Sequence, residues 1–245
     1  MFGSRIICIH AINTQFTLVK LKKYINRMRA LGYSFVAIEE LLNSKKKKQL
    51  ALTVDDAYLS VYNELLPYLV KENIPALLFV PTGLLGLPSN HSELINNRCY
   101  VNEATMGVKE INNWIASGNQ IGFHTCKHLD WSQASLFEIE SDFSRGWDKI
   151  IENGWSTPYF AYPFGCISSK YKKQIELLLK SYGIKYAFNG LTLQIKYLLI
   201  IFQESAWGIG NPGCGLLLSH WEYLIGMVIE NDKDDSLKGY FDRIL

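Results

Sequence analysis

The chain carries almost no net charge: 25 Lys and Arg against 23 Asp and Glu leave +2 at neutral pH. A polyanion partner needs a basic stripe with aromatic residues interleaved. Lysines 45 to 48 are the only charge run, and they read as a solvated loop between a helix and a strand. Nucleic acid is therefore not an expected partner. Long apolar runs are missing too. The most apolar later run, Tyr197 to Phe202, falls far short of the roughly 20 residues that span a bilayer, so no stable membrane insertion is expected. The five cysteines, at 8, 99, 126, 166 and 214, contain no C-x-x-C pair and are odd in number. That usage argues against a disulfide scaffold and suits a reducing compartment. Met1 to Arg5 opens directly into a strand-like segment, without the apolar core and cleavage site of a signal peptide. The expectation is a cytoplasmic protein. With neither repeats nor a linker in view, the 245 residues read as a single domain.

What the chain does have is an alternation of strand-like and helix-like segments. Arg5 to His10, Gln49 to Val54, Pro75 to Val80, Ile121 to Phe123, Tyr159 to Tyr162 and Tyr186 to Phe188 read as strands, with short ones at Phe35 to Ile38 and Gly215 to Leu218. Between them, Leu18 to Leu31 places Leu18, Leu21, Ile25, Met28 and Leu31 at spacings of three and four, the mark of an amphipathic helix. Further helices are expected over 38–43, 62–72, 108–117, 136–150 and 169–182, and residues 84–106 read as a long loop or lid. Strand–helix units in series favour a parallel sheet covered by helices, as a barrel or doubly wound, with chemistry at the carboxyl ends of the strands.

Three segments carry chemistry at those ends. Asp55 and Asp56 interrupt an apolar strand, and adjacent carboxylates repel unless a cation or proton lies between them; the bland alternative is a turn with a helix cap. His124 and His128 follow another apolar strand, and their i, i+4 spacing puts both imidazoles on one face of a helical turn. Cys126, at i+2, points off that face. Two imidazoles and one carboxylate leave open positions on a metal, as hydrolytic zinc sites require, and the second carboxylate is left over as a general base. The turn Pro163-Phe164-Gly165 ends a third strand.

These segments resemble the motifs of the polysaccharide deacetylases, the NodB-type carbohydrate esterases of family 4. Thr53-Val54-Asp55-Asp56-Ala57-Tyr58 is similar to the first motif, T-F-D-D-G-Y, and His124-Thr125-Cys126-Lys127-His128 to the second, H-[ST]-x-x-H. Tyr159 to Gly165 resembles the third, and Gly215 to His220 the last. The resemblance runs from about Ile6 to His220 and implies a distorted (β/α)7-type barrel, NodB-like, as one catalytic domain. It implies that Asp55 is the catalytic base and that Asp56, His124 and His128 are the metal ligands. It also implies that His220 is the general acid. The backbone N–H of Phe164 would stabilise the oxyanion, and the ring of Phe164 or Tyr162 would wall the acetyl pocket. The implied cofactor is one divalent metal, zinc first, with Co2+, Ni2+, Fe2+ or Mn2+ able to occupy the same ligands. The implied activity is N-deacetylation of a sugar, a precursor in surface-glycan assembly.

The chain departs from the pattern in places. Ala57 stands where the family has glycine, harmless at negative φ and a steric problem at positive φ. Ala161 occupies the place of the third-motif arginine that orients the aspartate, so another cation has to serve Asp55 or its tuning is weaker. Glu204, in Gln203 to Trp207, is the only candidate for the acid of a further motif. His10 reads as a structural histidine, and His91 has no supporting neighbourhood. Two other readings stay open: another amide or imide hydrolase on this fold, and a non-catalytic glycan-binding module. The second would use the aromatic residues, 13% of the chain with six Trp, for sugar stacking.

Overall fold

Strand β3 (Gln49–Val54) is buried along its whole length, and the sheet is laid out around it. The structure, a computed structural model, describes residues 3–14, 16–96, 103–166, 168–189 and 199–201. On one side β1 (Arg5–Ile9) runs parallel, with Ile7 opposite Leu52 and Ile9 opposite Val54. On the other, β3 pairs at its start with β2 (Ser34–Phe35) and at its end with β4 (Ala76–Val80). Strands β5 (Gln120–Phe123), β6 (Tyr159–Ala161) and β7 (Tyr186–Phe188) continue the parallel series. Strand β8 (Leu199–Ile201) ends it antiparallel to β7. The result is a curled, mostly parallel half-barrel of the NodB-like class that the sequence implies.

Helices fill the connections: α1 (Leu18–Ala30), α2 (Ile38–Asn43), α3 (Leu66–Glu72), α4 (Ser92–Asn96), α5 (Val108–Ala116), α6 (Leu136–Glu152) and α7 (Lys172–Ser181). Local chemistry sets their ends. Thr17 caps α1 by accepting from the Lys20 N–H, and Ser135 with Glu138 forms a reciprocal capping box at the start of α6. Asn73 ends α3 in the left-handed conformation. The periodicity of α1 is realised as read, with Leu21, Ile25 and Met28 buried. Each such side chain, fully buried, contributes about 1.5–3 kcal/mol relative to leaving it in water.

Strand alternation sorts the sheet into two faces. Ile7, Ile9, Leu52, Val54, Leu78, Val80, Phe123 and Phe160 belong to the large core under the helices, while Ala51, Leu77, Phe79, Tyr159 and Ala161 form a smaller cluster on the concave face. The concave face also carries polar Gln49 and Thr53 on β3, and it continues past the strand ends. There its next positions are polar: His10 after β1, Asp55 after β3 and His124 after β5. Tryptophans 114, 131 and 155 are buried in the larger core, which takes these three away from sugar stacking.

Beyond shifts of one to three residues at element ends, there are four departures from the sequence reading. The second strand is confined to Ser34–Phe35 because α2 begins at Ile38. A π-helical turn at Val61–Leu65 leads into α3. Residues 84–106 are not all loop: they contain α4, and Thr105 pins the segment by bonding the Leu87 N–H and the Leu84 carbonyl. Leu199–Ile201, read only as part of an apolar run, pairs as a strand. The expected strand at 215–218 lies outside the described residues.

Candidate active site

The ladder of β1 and β3 continues one residue past the end of β3, where the Asp55 N–H donates to the Ile9 carbonyl at 2.9 Å. That step turns Asp55 to the concave face. The chain then reverses through two left-handed residues, Asp56 (φ 70°) and Ala57 (φ 54°). The reversal swings the Asp56 carboxylate sideways into the sheet end, where it is buried. It is clipped to the 104–106 segment by the Met106 N–H on the Ala57 carbonyl, 2.8 Å, and the Leu59 N–H on the Ala104 carbonyl, 2.7 Å.

His124 follows β5 and keeps its strand register, its N–H donating to the Val80 carbonyl at 3.1 Å. The next four residues do not form the helical turn expected from the i, i+4 spacing. Thr125 (φ 66°) and His128 (φ 55°) are left-handed, and residues 124–128 form a tight loop. Long-range contacts impose this shape. The carboxylate of Asp142, buried on α6, accepts from the Cys126 and Lys127 N–H groups at 3.0 and 3.1 Å. Thr82 and Gly83 donate their N–H groups to the Thr125 and Cys126 carbonyls at 3.1 and 2.7 Å. The backbone approach is so close that a Cβ on Gly83 would sit 2.6 Å from Cys126 Sγ, and one on Gly146 would sit 2.9 Å from Cys126 Cα. Packed between two glycines and held by one carboxylate, the loop brings His128 back beside His124, their ring centroids 4.9 Å apart. Asp142, Gly83 and Gly146 were missed in the sequence; the available signal was a carboxylate and a glycine inside the apolar stripe Ile139, Asp142, Phe143, Gly146, Ile150.

Asp56, His124 and His128 thus converge. Asp56 Oδ1 lies 3.2 Å from His128 Nε2 and 3.5 Å from His124 Nε2, with all three side chains buried. His124 Nδ1 sits 2.8 Å from the Ala161 carbonyl, which only accepts, so Nδ1 carries the proton. In the neutral ring, Nε2 is then a lone pair aimed at a carboxylate oxygen that has no hydrogen-bond partner. A proton or a cation must lie between them. Bonds of 2.0–2.2 Å to nitrogen and oxygen give a tetrahedral edge of about 3.3 Å, and the two observed separations straddle it, so the donor set fits a divalent metal. The Ala161 carbonyl is the outer partner that fixes a ligand imidazole in one tautomer.

Charge is distributed accordingly. Burial works against ionised Asp56, but His128, His124 and His10 outweigh it and hold the carboxyl well below its ordinary range. Burial also disfavours charged His124, yet the facing Asp56 carboxylate, the Asp55 charge and the Ala161 carbonyl raise its pKa above the usual histidine value.

The remaining candidates separate. His10, read as structural, faces Asp55, with Nε2 3.9 Å from Oδ2. The ring of Phe164, on a left-handed residue of the Pro163–Gly165 turn, meets His128 edge-on at 4.6 Å between centroids. Tyr162 is buried in the larger core against Trp131 and Phe160, so of the two rings named for an acetyl pocket it is Phe164 that borders the site. Cys126 is buried against Gly83 and belongs to neither group of metal-capable donors. His91 Nδ1 accepts the Glu93 N–H beside α4, a structural task. Among the described residues, Cys8 and Cys126 are free thiols. His220 and Glu204 lie outside the described residues. Among the described residues no helix is long and apolar enough to cross a membrane.

With this geometry in hand, similarity to known proteins is informative. The family described as polysaccharide deacetylase matches residues 42–187, more than half of the chain. Among solved structures, IcaB from Ammonifex degensii is 25% identical, with a TM-score of 0.63 over 77% of this chain and 84% of its own. A de-N-acetylase from Aggregatibacter actinomycetemcomitans is 18% identical, with a TM-score of 0.62 over 78% of this chain and 89% of its own. The deacetylase PplD from Streptococcus pyogenes, solved with acetate, is 22% identical, with a TM-score of 0.57 over 74% of this chain and 81% of its own. The latter two show the fold. No curated protein matches the chain. The matched span holds both aspartates, both histidines and the Phe164 turn, and the chain belongs to the polysaccharide deacetylase family.

Proposed function

We propose that this chain removes the acetyl group from an N-acetylated sugar, a precursor in surface-glycan assembly, using one divalent metal held by Asp56, His124 and His128. The observation that carries the reading is the convergence of those three buried donors with a second carboxylate, Asp55, left beside them. A metal bound there, zinc first, would polarise the acetyl carbonyl and acidify a water. The rest falls to the chain's own residues. Asp55 has a buried oxygen, Oδ1, without a hydrogen-bond partner, ready to take a proton from the attacking water. The Phe164 N–H is assigned to the developing oxyanion, and its ring to the acetyl methyl group. His220 is assigned, by its motif, to protonate the nitrogen as the C–N bond breaks, which releases acetate and a free amine. Family membership supports the substrate class, and the similarity to a de-N-acetylase supports the bond.

The test is acetate release from N-acetylated sugars by the metal-loaded chain, with Asp55→Asn beside the wild type. The variant should keep its metal and lose about 10²- to 10⁴-fold in rate, the usual contribution of a general base. Full sugar binding with no acetate release by the wild type would instead establish a glycan-binding module.

A further inference from the structure

Beside the Asp56 group, Cys8, His10 and Asp55 bring together a thiol, an imidazole and a carboxylate, with donor atoms all within 4.8 Å of one another. The arrangement follows from strand geometry. Cys8 and His10 are two residues apart, so both face the concave side, and the β1–β3 register carries His10 next to Asp55. The Cys8 thiol donates to the Ile9 carbonyl at 3.8 Å, and Asp55 Oδ1 is buried without a hydrogen-bond partner.

We propose that Cys8, His10 and Asp55 form a second divalent-metal site, selective for thiophilic ions such as zinc and cobalt(II), whose occupation removes Asp55 from its role as base. The inhibitory clause rests on the reading of Asp55 under Proposed function; the site does not.

Three features set its chemistry. A thiolate ligand favours zinc and cobalt over magnesium and calcium. Thiolate, carboxylate and neutral imidazole together balance a charge of 2+. The site is weaker than its neighbour, because bonds of 2.0–2.3 Å require donor separations of about 3.3–3.6 Å, whereas His10 and Asp55 stand 3.9 Å apart and remain partly open to solvent. Binding forms a sulfur–metal bond as the thiol proton leaves to solvent.

Titration of cobalt(II) into the metal-free full chain tests this directly. The first equivalent should enter without a thiolate signature. A second, weaker equivalent should bring a near-ultraviolet sulfur-to-cobalt charge-transfer band. Cys8→Ser should abolish the band and the second equivalent while keeping the first, which also shows that the variant is folded. His10→Ala should weaken the second equivalent alone. Zinc beyond one equivalent should depress acetate release by wild type about a hundredfold or more, the loss expected without a base. Cys8→Ser should show no such depression relative to its own rate at one equivalent. A single equivalent at any cobalt excess, with no charge-transfer band, overturns the site. A banded second equivalent that leaves acetate release unchanged overturns the inhibitory role, and with it the assignment of Asp55 as base.

Discussion

The Asp56 group and the Cys8 group sit side by side at the same end of the same sheet, yet they are built by different means. Cys8, His10 and Asp55 are placed by strand alternation and register alone, and His10 and Asp55 keep 20% and 17% of their side chains exposed. Asp56, His124 and His128 keep 7% or less. Their closeness depends on left-handed residues at Asp56, Thr125 and His128, and on a loop held by Asp142 and packed between Gly83 and Gly146. Strands bring donors to one face; a clamped loop brings them to ligand distance. The difference teaches where tight metal binding comes from in this fold.

The largest expected effect separates the two groups outright. His124→Ala should reduce metal content, after dialysis, from about one per chain to near zero, whereas His10→Ala should leave it near one. Equal losses in both variants would show that the six side chains hold a single shared ion. Asp142→Asn probes the clamp without touching a ligand. An amide offers one acceptor where two N–H groups now bond, and its NH2 would face a donor. Metal affinity should fall about 10- to 100-fold, as for other outer partners of metal ligands. Competition with a chelator of known affinity reads this, and unchanged affinity would mean that the loop needs no clamp.

Acidity sharpens the same contrast. Asp56 stays ionised because its neighbouring imidazoles hold its pKa low, so the proton that competes with metal is the one on His124. That pKa is raised above the usual 6.5, so in the metal-free protein the proton is retained to higher pH than on a free imidazole. Affinity should therefore be fully developed above the raised value and fall by up to about tenfold per pH unit below it. A metal affinity that stays flat as pH falls through 6.5 would show that His124 binds no metal.

Much of this was legible in the sequence because local chemistry determined it. Apolar runs ending on Asp55, on His124 and on the Pro163 turn marked strand ends, and β1, β3, β4, β5, β6 and β7 form where they were read, within a residue. Of the motif residues described, Asp55, Asp56, His124, His128 and Phe164 lie at one end of the sheet. What could not be read depends on partners distant in the chain. The i, i+4 spacing of His124 and His128 suggested a helix because nothing local reveals Asp142, which bonds the Cys126 N–H from 16 residues away. Tyr162 read as a site residue from its nearness to Phe164, but strand alternation turns it to the helix-covered face beside Phe160. His10 read as structural because its nearness to Asp55 arises only when β1 pairs with β3.

The smallest effect is expected at Ala57, where the chain departs from the family's glycine. Its φ of 54° is left-handed, so the residue is in the conformation that the glycine serves. Holding an L-residue there costs about 1–2 kcal/mol. Two opposing terms nearly cancel that cost. The methyl group is buried in the core, worth about 0.8 kcal/mol, and alanine restricts the unfolded chain by about 0.4–1 kcal/mol relative to glycine. Ala57→Gly should therefore shift stability by less than about 1 kcal/mol in either direction, read as a small change in the midpoint of denaturant unfolding. Metal affinity should hold, because the imidazoles and the 104–106 clip, rather than the residue at 57, keep the Asp56 carboxylate in place. A large loss of affinity with stability unchanged would mean that the left-handed alanine itself stiffens the reversal, and that tight binding at the first group depends on the strain as well as on the clamp.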